Sequence, residues 1–201
     1  IATKTGRSSQ AALLTQRAKE MIQAMNDNLW SEKDGIYVNK ISTSNTFYNR
    51  LSPTNFYPLL TGSASDAQAL QMLKHLINPK EFCVVSNTTA AGCSFALPSI
   101  SRDDPAFKDQ SYWRGRIWGP MVQFVYWGLE KYSHIPEIEQ ARKNFVLQSK
   151  NLLMIEWNEE HHVHENYNGI TGQGGDVGNS NPFYHWGALT GFISILEQGH
   201  W

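Results

Sequence analysis

The sequence predicts an all-α fold: an α/α toroid of helical hairpins arranged in two layers. Two observations carry this. Apolar residues recur at helical spacing along much of the chain, and the segments that show it alternate in kind, one-sided and then apolar all round. One-sided helices shed a polar face to water, and helices apolar all round are covered on every side, so the two kinds read as outer and inner layers. The turns between them are mostly short, as helical hairpins require.

Residues 9 to 29 read as an amphipathic helix, with Leu14, Ala18, Met21, Ile22, Met25 and Leu29 on one stripe. Trp30 to Gly35 is a turn, and Ile36-Tyr37-Val38 a short strand. Residues 51 to 62 suggest a short helix broken by Pro58 and closed by Gly62. Ser65-Asp66-Ala67-Gln68 fits a capping box, and the helix it opens carries Ala69, Leu70, Leu73, Leu76 and Ile77 until Asn78-Pro79 stops it. Residues 79 to 112 have no helical period and read as a long ordered loop, a feature usually tied to function. From Ile117 a helix apolar on all sides begins, with Trp118, Met121, Val122, Val125, Leu129 and Tyr132 on one stripe and Phe124, Tyr126 and Trp127 elsewhere. The next, opening at Ile135-Pro136, is one-sided, with Ile138, Ala141, Phe145 and Leu152 facing in. Residues 182 to 196 are again apolar all round, with small residues for close helix contact. No internal repeat is visible, and the whole chain, 1–201, reads as one domain. About six helices make half of a closed toroid. Half a toroid exposes inner faces, here around Phe124, Trp127 and Phe192, so a completing partner, self-association or an apolar patch is expected.

The chain has 201 residues and a formal net charge of −1, with no basic face or acidic tail, which argues against nucleic acid and anionic membranes as partners. No apolar run approaches the ~20 residues that span a bilayer. The charged fraction of 17% lies below the ~25% usual for soluble domains, while aromatics reach 12% with seven Trp. Such a balance suits a groove for an uncharged polar ring, although most Trp and Tyr serve as core. Ile1 and the residues after it do not read as a natural start, so a processed or truncated chain is expected. Cys83 and Cys93 are compatible with one loop disulfide or with two free thiols. Together with the sequon Asn87-Thr88-Thr89 they give a lean toward the secretory route.

The chemistry concentrates between His161 and Gly175, where three histidines, Glu165, Tyr167, Asn166 and Asn168 fall within eight residues. The spacing argues against a metal. His161 and His162 are adjacent, and neither H-x-x-x-H nor H-E-x-x-H is present, so no metal and no cofactor are expected. On a strand, His162 and His164 share one face and Glu165 lies on the other. A carboxylate among aromatics and imidazoles can act as a general base, or it can simply be salt-bridged. Tyr112, Trp113, Arg114, Arg116 and Trp118, just before the first all-apolar helix, make a platform on which a pyranose could stack; alternatively the tryptophans anchor a helix start and Arg114 ties down an acidic partner.

Several segments in order resemble glycoside hydrolase family 63, whose (α/α)6 barrels are related to the trehalases. They are Phe56 to Gly62, Leu97 to Ser101 with Asp104 to Phe107, Tyr112-Trp113-Arg114-Gly115 through Trp118, Gly128 to Tyr132, Glu165-Asn166-Tyr167-Asn168 with Thr171-Gly172, and Phe183 to Leu189. The similarity runs over residues 9 to 198, and its W-R-G-x-x-W and E-x-Y-N-x-x-T-G elements are fairly specific. Family members include processing α-glucosidases and hydrolases of glucosyl- or mannosylglycerate. The resemblance implies the C-terminal half of such a barrel, an inverting hydrolase of an α-glucosidic or α-mannosidic bond. Glu165 would be the general base, and Trp113, Arg114, Trp118, Tyr167 and Trp186 would shape the sugar site with Tyr112. The family's general acid, an aspartate in the first half of the barrel, has no counterpart here: Asp34 looks like a turn residue, and Asp103 and Asp104 lie in the loop before Tyr112. The implied partners are a saccharide and either the missing N-terminal half or another copy. The alternatives are a non-catalytic carbohydrate-binding domain and a helical scaffold in which Trp113 and Trp186 are wholly buried core and no pocket lies near Glu165.

Overall fold

The computed structural model describes residues 1–199. Six α-helices occur among these residues: α1 (Ser8–Leu29), α2 (Asp66–Ile77), the single turn α3 (Thr88–Ala91), α4 (Gly119–Glu130), α5 (Pro136–Glu160) and α6 (His185–Glu197). Two small antiparallel hairpins, β1 (Trp30–Ser31) with β2 (Ile36–Tyr37) and β3 (Asn39–Ile41) with β4 (Thr46–Tyr48), link α1 to a 3-10 segment at Pro53–Thr61. The expected Trp30–Gly35 turn is the bend of the first hairpin, held where the Ser31 hydroxyl donates to Asp34 at 2.7 Å. The second hairpin has no strong alternation in its sequence to announce it.

Local signals set most boundaries. Ser65 accepts from the Gln68 backbone and Gln68 reaches back to Ser65, completing the capping box of α2. Gly62 closes the 3-10 segment in the left-handed conformation. The inward stripe of α5 is as expected: Ile138, Ala141, Phe145 and Leu152 are all buried. Burial of such side chains contributes ~1.5–3 kcal/mol each for the larger ones. The segment 79–112 is ordered by core residues of its own (Phe82, Val84, Phe95 and Leu97) and by a Cys83–Cys93 disulfide.

The core lies where α4 meets the Pro53–Thr61 segment, α5 and α6, with α2 against α5 on the outside. The start of α6 passes so close to neighbouring backbone that side chains are excluded. A Cβ on Gly119 would sit 1.8 Å from the Trp186 carbonyl oxygen, and one on Gly187 would sit 1.9 Å from that of His164. This contact fixes the N-terminal ends of α4 and α6 side by side, and both open onto the Glu165 segment.

The exposure expected around Phe124 and Trp127 is present, and the apolar stripe expected on α1 is covered only towards its C-terminal end. Helix α4 is apolar all round, yet Phe124 and Trp127 are about two-fifths exposed, at 40% and 38%. Phe124 meets Tyr57 edge-on and Trp127 at a tilt, so the open surface is continuous. Helix α1 buries no residue fully: Met25 and Leu29 reach the core, but Leu14 and Met21 face solvent. The physical reason is the same in both cases. A half toroid has no second set of helices to lie over these stripes.

Candidate active site

Three segments meet at the mouth formed by α4 and α6. Ile117 and Tyr167 exchange backbone hydrogen bonds of 2.7 and 3.0 Å. On the other side, the Glu165 N–H donates to Asn181 at 2.9 Å and the Phe183 N–H to Val163 at 2.7 Å. The Glu165 segment is thus the middle of a three-part ladder between the Tyr112–Trp118 approach and the Pro182–Trp186 approach. Alternation along it puts neighbouring side chains on opposite faces.

Glu165 is buried, 7% exposed, and among the described residues forms no salt bridge. Its Oε1 lies 3.5 Å from the Tyr112 hydroxyl, at the outer limit of a hydrogen bond. Burial and then the Glu165 carboxylate push the Tyr112 phenol above its ordinary range, so this tyrosine stays protonated and able to donate. Tyr112 itself has φ +50°, a left-handed backbone that a bulky aromatic adopts rarely, and such outliers cluster at functional sites. Around it, Trp113 and Trp118 stack at 3.7 Å with rings 15° apart, while Tyr112 and Trp186 meet Trp118 edge-on. The Trp118 indole N–H donates to the Tyr112 carbonyl at 3.1 Å.

The sequence-predicted residues therefore divide. Glu165, Tyr112, Trp113 and Trp186 form one cluster in which Trp113 is 43% exposed and Trp186 is half-buried. Trp118 and Tyr167 are wholly buried and act from beneath: Trp118 backs Trp113, and Tyr167 holds the ladder with its phenol beside the His164 carbonyl and Thr190, pushed up by burial. Arg114 does not join the cluster. Its guanidinium pairs with Asp109 at 2.8 Å on the surface, the acidic-partner alternative read from the sequence. Asn168 is also structural, its side chain accepting from the Ile170 and Thr171 N–H groups and donating to Asp176 at 2.7 Å.

Arg116, the second arginine expected on the platform, takes a structural role instead. It is wholly buried, pairs with Asp176 at 2.8 Å and donates to the carbonyls of Asn166, Gln173 and Gly174 as well as to the Asn166 side chain. Desolvation lowers its pKa and Asp176 opposes the fall, so the cation is held by its ring of acceptors. It fixes the loop that follows Glu165.

The aspartates upstream are committed elsewhere. Asp34 takes the Ser31 hydroxyl, Asp103 takes that of Ser101 at 2.6 Å, and Asp104 caps the Pro105–Asp109 turn and binds Arg50 through two hydrogen bonds. None is arranged as an acid opposing Glu165.

Comparison with known proteins identifies the family and the fold. The profile of the mannosylglycerate hydrolase MGH1-like glycoside hydrolase domain matches residues 1–187. A mannosylglycerate hydrolase from Rubrobacter radiotolerans is 25% identical over 181 residues, 90% of this chain and 37% of that protein. The chain thus spans little more than a third of that relative's length. Among solved structures, the family 63 mannosylglycerate hydrolase of Thermus thermophilus, bound to Tris and D-glycerate, superposes with a TM-score of 0.63 at 19% identity, covering 84% of this chain and 35% of its own. The neutral trehalase of Saccharomyces cerevisiae superposes with a TM-score of 0.61 at 14% identity, covering 92% and 30%. These likenesses show the fold, that of part of an α/α toroid. With the profile match over most of its length, the chain belongs to the MGH1-like glycoside hydrolase family.

Proposed function

We propose that this chain carries the base-bearing half of an inverting α-glycoside hydrolase site. The observation that supports it most is Glu165: a buried carboxylate with no ion pair among the described residues, set beside an exposed indole face and a phenol that stays protonated. A carboxylate neutralised by Arg or Lys would be a poor proton acceptor; this one is left free to take a proton from water. Trp113 offers its open face to a pyranose. Glu165 draws a proton from the attacking water as that oxygen bonds to the anomeric carbon, and the glycosidic bond breaks with its electrons leaving on the departing oxygen. A second carboxyl group, ~6.5–9.5 Å from the first, delivers the proton that oxygen needs. We place that acid on the polypeptide that completes the toroid, either the remaining half of the barrel or a second copy of this chain. A glucosylated or mannosylated small molecule is the substrate class, by analogy with the mannosylglycerate hydrolases it is similar to.

A scaffold reading requires Trp113 and Trp186 to be wholly buried and no pocket to lie near Glu165; neither tryptophan is wholly buried, which speaks against it. The test uses an α-glycosyl fluoride, because fluoride departs as an anion without the acid. Proton NMR of the fresh product shows the β-anomer if water enters from the face opposite the leaving group. The α-anomer would refute inversion.

A further inference from the structure

Behind Glu165, on the opposite side of its segment, three side chains converge that the glycosidase reading does not use. Glu156 lies in the last turns of α5 and is 1% exposed, His164 is buried, and His162 is half-buried beside the Phe183 ring. One donor atom from each lies within 4.8 Å of the other two. Glu156 Oε1 meets Nδ1 of His164, and its Oε2 accepts the Gly174 N–H at 3.0 Å. The two imidazole rings are 4.7 Å apart, and the Nδ1 of His162 is buried without a hydrogen-bond partner among the described residues. The loop is moulded to this cluster: a Cβ on Gly174 would fall 2.4 Å from the His164 ring.

The arrangement leaves two needs in one place. The Glu156 carboxylate is buried with no Lys or Arg salt bridge among the described residues, held only by His164, the Gly174 N–H and the nearby Arg116 charge, and the His162 Nδ1 is buried with no hydrogen-bond partner among them. Both are costly in a low-dielectric interior. A cation set among the three donors satisfies both.

We infer that Glu156, His162 and His164 form a binding site for a divalent transition-metal ion, with Zn2+ the best match. Two imidazoles and one carboxylate are donors zinc prefers, leaving a fourth position for water on the half-buried His162 side. Calcium and magnesium favour all-oxygen shells. The spacing rules missed the set because its carboxylate comes from a helix six and eight residues before the histidines, across the α5 end at His161. The ion has no part in activating water, since Glu165 points to the other face toward Tyr112. It staples the end of α5 to the segment bearing Glu165. This inference stands apart from the glycosidase reading, and either can fail without the other.

The test takes the full chain, stripped with a chelator and titrated with ZnCl2 in a calorimeter, with bound metal counted after dialysis. One equivalent per chain is expected, with a raised Tm. His162→Ala and Glu156→Gln each weaken binding about tenfold or more, while His161→Ala, an exposed neighbour, leaves it unchanged. Should Glu156→Gln fail to fold, His162→Ala decides, and His162→Cys restores affinity because a thiolate also binds zinc. No stoichiometric Zn2+, or binding by His162→Ala as tight as wild type, overturns the proposal.

Discussion

Arg116 carries no open surface, and every acceptor around it belongs to the loop that follows Glu165 or to Asp176. Removing one partner of such a buried set leaves charges and carbonyls unpaired. Arg116→Met is therefore expected to cost about 3–5 kcal/mol in urea unfolding, whereas Arg114→Ala, at a surface pair with Asp109, costs under ~1 kcal/mol. The sequence shows two arginines two apart; only their placement in the fold separates structural from surface roles. Glu165 stands out in the sequence because it sits in a dense run of polar side chains, and its role as base is what the family resemblance implies. The depth of Arg116 and the Glu156–His164 contact was not legible there, because both depend on chain segments brought together by the fold. His75 provides a pH test at the same scale. Its Nδ1 meets Glu81 at 2.6 Å and its Nε2 the Asp34 carbonyl at 2.7 Å, an arrangement that suits the imidazolium. The hydrogen bond to Glu81 is the largest cause raising its pKa, and burial opposes it. A raised folded pKa means the stabilisation is full below the unfolded value of ~6.5 and is lost as pH rises through the higher folded value. The Tm difference between wild type and His75→Gln is thus widest in mild acid and shrinks as pH climbs through neutrality.

At the scale of elements, the features written in consecutive residues were the readable ones. The capping box of α2, the proline-led start of α5 and its inward stripe all follow from local pattern. The second hairpin was not readable, since Asn39–Ile41 and Thr46–Tyr48 are short and their side chains are mostly exposed. The two open states of the cysteines were decided by the fold, which places their Cα atoms 6.4 Å apart across the Phe82–Phe95 loop. A loop of this length closed by a disulfide is worth about 2–3 kcal/mol in the chain-entropy description. Reduction with a thiol, or Cys83→Ser with Cys93→Ser, should lower unfolding stability by that amount while the α4–α6 ends keep their close contact. Far-ultraviolet circular dichroism of the folded variant should be unchanged.

At the scale of the molecule, outer and inner helices alternate as their apolar patterns require, and the open faces expected of half a toroid are present. Phe124 and Trp127 line one open face, Leu14 and Met21 another, and a groove of about 360 Å3 between α5 and α6 is lined by Leu153, Trp157, Leu189 and Phe192. Monomers seldom leave such faces bare. The isolated chain is expected to self-associate with rising concentration in sedimentation velocity, and Phe124→Lys with Trp127→Lys to shift it toward monomer. A monomer at every concentration would argue that the inner face needs no cover.

The central claim is that Glu165 prepares the water. Its most direct measurement is the rate of α-glycosyl fluoride hydrolysis by the chain and by Glu165→Gln, in parallel with thermal unfolding to establish that both are folded. The account predicts a loss of about 10²–10⁴-fold in kcat, with Tm little changed. Turnover that survives Glu165→Gln undiminished would contradict it.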